Sequence, residues 1–140
     1  MKRVGVVGLI MSFAAALAVD FPWTTWAGHS HWAKVGWIPF YSWPVSVPDI
    51  IQNILLFMPA GVSARLAFGE RARLRAVLFA LPVSVLGEWT QLYGHSRFPS
   101  ATDVSCNVLG TLAGVWLAGT LGGSRGRAWL SAGRRTNIRP

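Results

Sequence analysis

The chain is poor in charge, in acids and in cysteine. Only 13% of its 140 residues are charged, against roughly a quarter in a soluble domain. With 52% apolar residues and a mean hydropathy of +0.41, this composition argues against an ordinary soluble enzyme. A single cysteine, Cys106, excludes an internal disulfide and a multi-cysteine metal site. Lying in an apolar run, it reads as a small packed residue. The acids number five, Asp20, Asp49, Glu70, Glu88 and Asp103, so the place of each is informative. The net charge of +8 suggests nucleic acid, but a nucleic-acid binder gathers its basic residues on one soluble face. Here they stand between apolar blocks, and no nucleic-acid partner is expected.

What is abundant is apolar sequence and tryptophan. Four apolar stretches stand out: Val4–Val19, about Ile50–Phe68, Ala76 to about Tyr93, and Val104–Leu121. Spanning a hydrocarbon core of about 30 Å takes roughly 20 residues. The last three stretches qualify, and the first is short unless Phe21 and Trp23 extend it. The spacing predicts an all-α membrane protein, a four-helix transmembrane bundle with helices at about 4–22, 49–68, 76–94 and 103–121. Residues 1–122 form one transmembrane domain, 20–48 a Trp-rich external loop, and 123–140 a basic cytoplasmic tail. Five of the eight tryptophans, Trp23, Trp26, Trp32, Trp37 and Trp43, fall in that loop. Tryptophan concentrates where bilayer meets water, since its ring is apolar and its N–H needs a partner.

Charge placement orients the helices. Lys2, Arg3, Arg65, Arg71, Arg73, Arg75, Arg125, Arg127, Arg134, Arg135 and Arg139 fall on one side, leaving Lys34 and Arg97 on the other. Lys and Arg are retained in the cytoplasm. Both termini and the 69–75 connection are therefore expected inside, in a multi-pass protein of the cytoplasmic membrane. The tail should touch anionic lipids. A second reading of the N-terminus stays open. Lys2-Arg3, an apolar core and Ala16-Leu17-Ala18 also resemble a signal peptide with an A-x-A cleavage site. Cleavage would leave three helices in the same orientation.

Four of the five acids fall near the outer face. Asp49 and Asn53 open the second segment, and Asp103 and Asn107 the fourth, each pair one helical turn apart on one face. Two parallel helical hairpins are one explanation; Asp used twice as a helix N-cap is the other. The third segment adds Ser84, Glu88 and Gln91 on one face. Glu88 lies six residues before Gly94, about 9 Å deep at 1.5 Å per residue. A carboxylate there costs a few kcal/mol on insertion scales and needs a partner. Arg97 is the cation at hand, for Glu88 or for Asp103. Such a ring is either an outward-facing site or a set of interhelical hydrogen bonds worth about 1 kcal/mol each. Below it, Gly110, Gly114 and Ala118, with Ala60 and Ala64 opposite, favour close helix packing. Pro59-Ala-Gly61 and Pro82 are expected to bend their helices.

Three blocks together resemble the VanZ-like family of small bacterial membrane proteins. They are Asp49-x3-Asn53-x3-Phe57-Met-Pro59-Ala-Gly61, Glu88-x2-Gln91, and Arg97-x5-Asp103-x3-Asn107-x2-Gly110-x3-Gly114. The likeness covers Asp49–Gly114. Ala60 departs from the larger apolar residue that the family more often has there. The founding member is associated with resistance to teicoplanin, a lipid-anchored glycopeptide. The resemblance implies a cell-envelope role and brings no settled reaction with it.

The leading expectation is an outward-facing polar pocket lined by Asp49, Asn53, Glu88, Gln91, Arg97, Asp103 and Asn107. It would bind an amphiphilic ligand, such as a lipid-linked envelope precursor or a lipoglycopeptide. Pro59, Gly61, Gly110 and Gly114 would serve helix packing. A membrane-surface hydrolase or transferase with Glu88 as general base is the alternative. Against it, the sequence has no evident nucleophile–base–orienter set. A structural or partner-binding bundle is the third reading. His29-Ser-His31 lacks a clear third ligand, so no metal and no cofactor are assigned. His95 reads as part of a solvated loop. The Trp-rich loop, with Pro22, Pro39, Pro44 and Pro48, is expected to cover part of the polar ring.

Overall fold

Four long α-helices take up nearly all of the apolar sequence. The computed structural model describes residues 2–26, 28–41, 46–95 and 97–135, with side chains as far as Gly122. Trp43 and Pro44 of the long loop and Arg139 of the tail lie outside the described residues. Helix α1 runs Lys2–Asp20, α2 Val47–Phe68, α3 Ala72–Gln91 and α4 Ala101–Arg135. Short 3-10 turns occupy Trp32–Lys34 and Gly69–Arg71. Among the described residues, three continuous stretches are long and apolar enough to cross a membrane: Lys2–Asp20, Val47–Gln91 and Ala101–Gly122. The middle one, 45 residues long, contains both α2 and α3.

The helix limits differ from the expected ones for local reasons. Helix α2 starts two residues early because Ser46 caps it, accepting the Asp49 N–H at 3.4 Å, with Pro48 in its first turn. Proline suits that position, where an N–H has no helical partner. The turn between α2 and α3 is tight because Gly69 adopts φ +61° and donates its N–H to Arg65 O, a conformation glycine takes without strain. Arg65 also bonds Gly69 O at 2.8 Å and pairs with Glu70. Helix α3 therefore begins at Ala72 and ends at Gln91, three residues short of the expected end. Pro59 and Pro82 lie inside α2 and α3, and neither helix is interrupted. Helix α4 continues to Arg135, into the segment expected as tail.

Small residues set the packing. The largest approach is between α2 and α4, which run parallel: Gly110 faces Ile54, Gly114 faces Met58, and Gly61 faces Thr111. Helix α1 runs antiparallel to α2, with Gly5 on the backbone of Leu66 and Ala67, Gly8 on Ser63, and the Phe13 and Phe57 rings 6.1 Å apart. Among the described residues, helices α1 and α4 do not pack on one another; each lies against α2 and α3. The buried face of α3 is Ala72, Ala76, Ala80, Ser84, Gly87, Glu88 and Gln91. Its large apolar residues, Leu74, Leu78, Phe79, Leu81, Val85 and Leu86, point outward. Small inside and large outside is the distribution expected when the solvent is hydrocarbon, where helix association relies on close packing.

Candidate functional site

The buried polar residues gather at the end of the bundle that carries the long loop. Two matching helix starts build it. Ser46-x2-Asp49-x3-Asn53 opens α2, and Ser100-x2-Asp103-x3-Asn107 opens α4. Ser100 accepts the Thr102 N–H on its hydroxyl at 3.1 Å, and the Asp103 and Val104 N–H groups on its carbonyl. Serine thus caps both helices, and each Asp sits in the first turn. The N-cap reading of Asp49 and Asp103 is corrected on this point. The parallel seam of α2 and α4 then brings the two starts side by side, so that Asp49 acts electrostatically on Asp103, and the Asn53 amide faces the Asp103 carboxyl.

Glu88 is buried on α3, where its Oε2 accepts the Ser100 N–H at 2.7 Å. Arg97 pairs instead with Asp103, Nη2 to Oδ2 at 3.6 Å. Of the two pairings expected for Arg97, the ion pair is the one with Asp103. Asp20, at the end of α1, is also buried and lies against Gly87 of α3. One guanidinium therefore acts on three carboxyl groups, those of Asp20, Glu88 and Asp103. Asp20 and Ser100 are the members that sequence reasoning left out of the site. Asp20 was visible as an acid at the end of an apolar helix. The role of Ser100 rests on its backbone N–H, which no side-chain pattern reports.

Deeper in the bundle, Asn107 Nδ2 donates to Ser84 Oγ at 2.8 Å, joining α4 to α3, and Thr111 bonds the Asn107 carbonyl. Asn53, Gln91 and Asn107 are buried, whereas Asp49 is exposed. Both amide atoms of Gln91 and Asn107 Oδ1 have no hydrogen-bond partner among the described residues. Buried polar atoms are normally paired, so this layer has donors and acceptors to spare. Cys106 is buried beside it, as expected of a small packed residue.

The long loop lies over this end as a strap. His31 N–H bonds Leu92 O at 2.9 Å and His95 N–H bonds Thr25 O at 3.0 Å. Gly36 N–H bonds Pro99 O, and Ala101 N–H bonds Gly36 O at 2.8 Å. Phe40, at φ 60°, is held by its N–H to Thr102 Oγ1. Aromatic rings fill in behind: Trp26 stacks on Tyr93 at 5.1 Å, and Trp32 meets Trp89 edge-on at 5.8 Å. The strap brings His29, His31 and His95 together. The His31 pKa lies below the ordinary histidine value, through burial first and then through His29, His95 and Lys34.

Beneath the strap, between α3 and α4, runs an apolar cleft of about 490 Å³. Trp32, Trp37 and Pro39 roof it, and Val85, Trp89, Leu92 and Val104 wall it. Glu88 and Ser100 form its polar corner. Of the seven residues expected to line a polar pocket, Glu88 alone borders this cleft. The others lie beside it: Arg97 on the α3–α4 connection, Asp49 at the exposed start of α2, and the rest along the helices. No curated protein and no solved structure matches the chain. A family model, described as VanZ/LLP1, matches residues 4–122.

Proposed function

The chain belongs to the VanZ/LLP1 family, and on that premise we propose that this integral membrane protein of the bacterial envelope binds an amphiphilic or lipid-linked ligand in the α3–α4 cleft. The observation that carries the proposal is the form of the cleft: about 490 Å³ of apolar wall closed at one corner by Glu88 and Ser100. An acyl chain suits the wall. A hydroxyl or amide head group suits the corner, with the Gln91 amide, unpartnered among the described residues, buried at the same end of the bundle. The protein crosses the bilayer four times, with both ends and the Gly69–Arg71 turn in the cytoplasm. Arg65, Arg71, Arg73 and Arg75 near that turn support this. The strap then faces outward, where a lipid-anchored glycopeptide such as teicoplanin acts. Helix α1 is retained in this reading, since Gly5, Phe13 and Asp20 are packed into the bundle.

The test uses the full chain in nanodiscs and follows the fluorescence of Trp32, Trp37 and Trp89 during titration. Teicoplanin is expected to bind saturably, and a glycopeptide without an acyl chain is not. Val104→Trp fills the cleft and should abolish the response. Equal binding by a folded Val104→Trp variant refutes the cleft. A hydrolase or transferase reading rests on Glu88 being the carboxyl group in the cleft wall. Turnover of a lipid-linked substrate that disappears in Glu88→Gln would establish it in place of simple binding.

A further inference from the structure

The geometry points to a divalent transition-metal site, of zinc-like chemistry, formed by His29, His31 and His95 where the strap crosses the α3–α4 connection. These are the only three histidines in the chain, and all three converge on one point. Their ring centroids are 4.8, 5.6 and 5.0 Å apart, and their planes cross at 61°, 68° and 61°. The rings therefore fan around a shared centre instead of stacking. One nitrogen from each lies within 4.8 Å of the other two.

A tetrahedral zinc ion with bonds of about 2.0–2.1 Å sets its nitrogens about 3.4 Å apart. Closing the set from separations of up to 4.8 Å asks each nitrogen to move inward by about an ångström. The backbone is already fixed by the His31–Leu92 and His95–Thr25 hydrogen bonds. The Nε2 atom of His31 is shielded from solvent and has no hydrogen-bond partner among the described residues. It is available as a ligand atom. Three imidazoles select zinc, copper or nickel over magnesium or calcium, which prefer oxygen. Lys34 opposes a cation. Its ammonium sits 4.3 Å from the centroid of Phe98, and Phe98 packs edge-on against His31. His29 and His95 are exposed, so water screens that charge and the ion exchanges with solvent.

The site joins the strap, through His29 and His31, to the loop before α4, through His95. Trp32, next to His31, roofs the cleft. A bound ion therefore pins the roof, and its fourth position stays open to water or to an anionic group. None of this depends on what occupies the cleft.

The experiment takes the full chain in detergent, purified without a histidine tag. Cobalt(II) is titrated first, since its visible spectrum reports tetrahedral nitrogen ligation, and zinc is then used to displace it. The expected result is saturable one-to-one binding with tetrahedral bands, weakened about tenfold or more by His31→Ala or His95→Ala. In the unaltered protein, zinc should slow diethyl pyrocarbonate modification of all three histidines, read by mass spectrometry. This arm needs no variant and decides the matter if His95→Ala fails to fold. Unchanged binding in His95→Ala, zinc protection confined to His29 and His31, or no saturable binding overturns the site.

Discussion

The parallel seam between α2 and α4 makes the sharpest stability prediction. A Cβ at Gly61 would lie 1.9 Å from Thr111 O, and one at Gly110 would lie 2.2 Å from Ile54 O. At Gly114 it would lie 2.1 Å from Met58 O. All three obstacles are backbone atoms, so no side-chain rotation relieves them. Restoring ordinary contact of 3.4 Å at Gly61 means moving the helices apart by about 1.5 Å. Such overpacking costs about 1–3 kcal/mol, and a rigid backbone contact belongs at the upper end. Alanine returns about 1 kcal/mol of helix propensity over glycine. The net expectation for Gly61→Ala is a loss of about 2 kcal/mol, close to 30-fold in the unfolding equilibrium. Gly122→Ala is the control, because nothing lies within 4 Å of its Cβ position; it should be neutral or slightly stabilising. Steric-trapping measurements in bicelles would give both values. A Gly61→Ala or Gly110→Ala protein within about 0.5 kcal/mol of the parent would refute the close backbone seam.

Three further outcomes follow from the polar end. Removing the Asn107–Ser84 hydrogen bond should lower stability by about 1 kcal/mol, and a double-mutant cycle with Asn107→Ala and Ser84→Ala should return a coupling of about 0.6 to 1.7 kcal/mol. Glu88→Gln keeps an acceptor for the Ser100 N–H, whereas Glu88→Leu leaves that donor unpaired; hydrogen exchange at Ser100 should quicken in the leucine variant only. Arg97→Gln removes the one guanidinium that acts on Asp20, Glu88 and Asp103. It should reduce the yield of folded protein, and a second change, Asp103→Asn, should restore part of it, read by monodisperse elution in detergent.

Much of the architecture is legible from local chemistry. Apolar length and basic-residue placement identify the membrane segments without any contact between them, because each helix satisfies its own backbone in lipid. The four-residue spacing of Gly110 and Gly114 marks a packing face for the same reason. The Asp–Asn pairs were legible as a repeat, but the serines that cap both helices extend it by three residues, and only the observed helix starts reveal that Ser46 and Ser100 are equivalent. Ala72, Ala76 and Ala80 carry the same small-residue signal on the buried face of α3.

What the sequence by itself determined is that this chain is an α-helical membrane protein most of whose few acids and amides cluster at one end of its helices. Hydropathy, charge and periodicity are properties of single segments. The tertiary structure alone decided how those groups are shared out. The packing of α3 on α4 and the connection between them pair Asp103 with Arg97 and leave Glu88 to a backbone N–H. The strap is tied down by hydrogen bonds between residues some sixty apart, from Phe40 to Thr102 and from Ala101 to Gly36. The bonds from His31 to Leu92 and from His95 to Thr25 carry His29 and His31 to His95. No local pattern predicts such meetings, because they depend on backbones approaching at glycine and on a loop finding its partners only after the helices have packed.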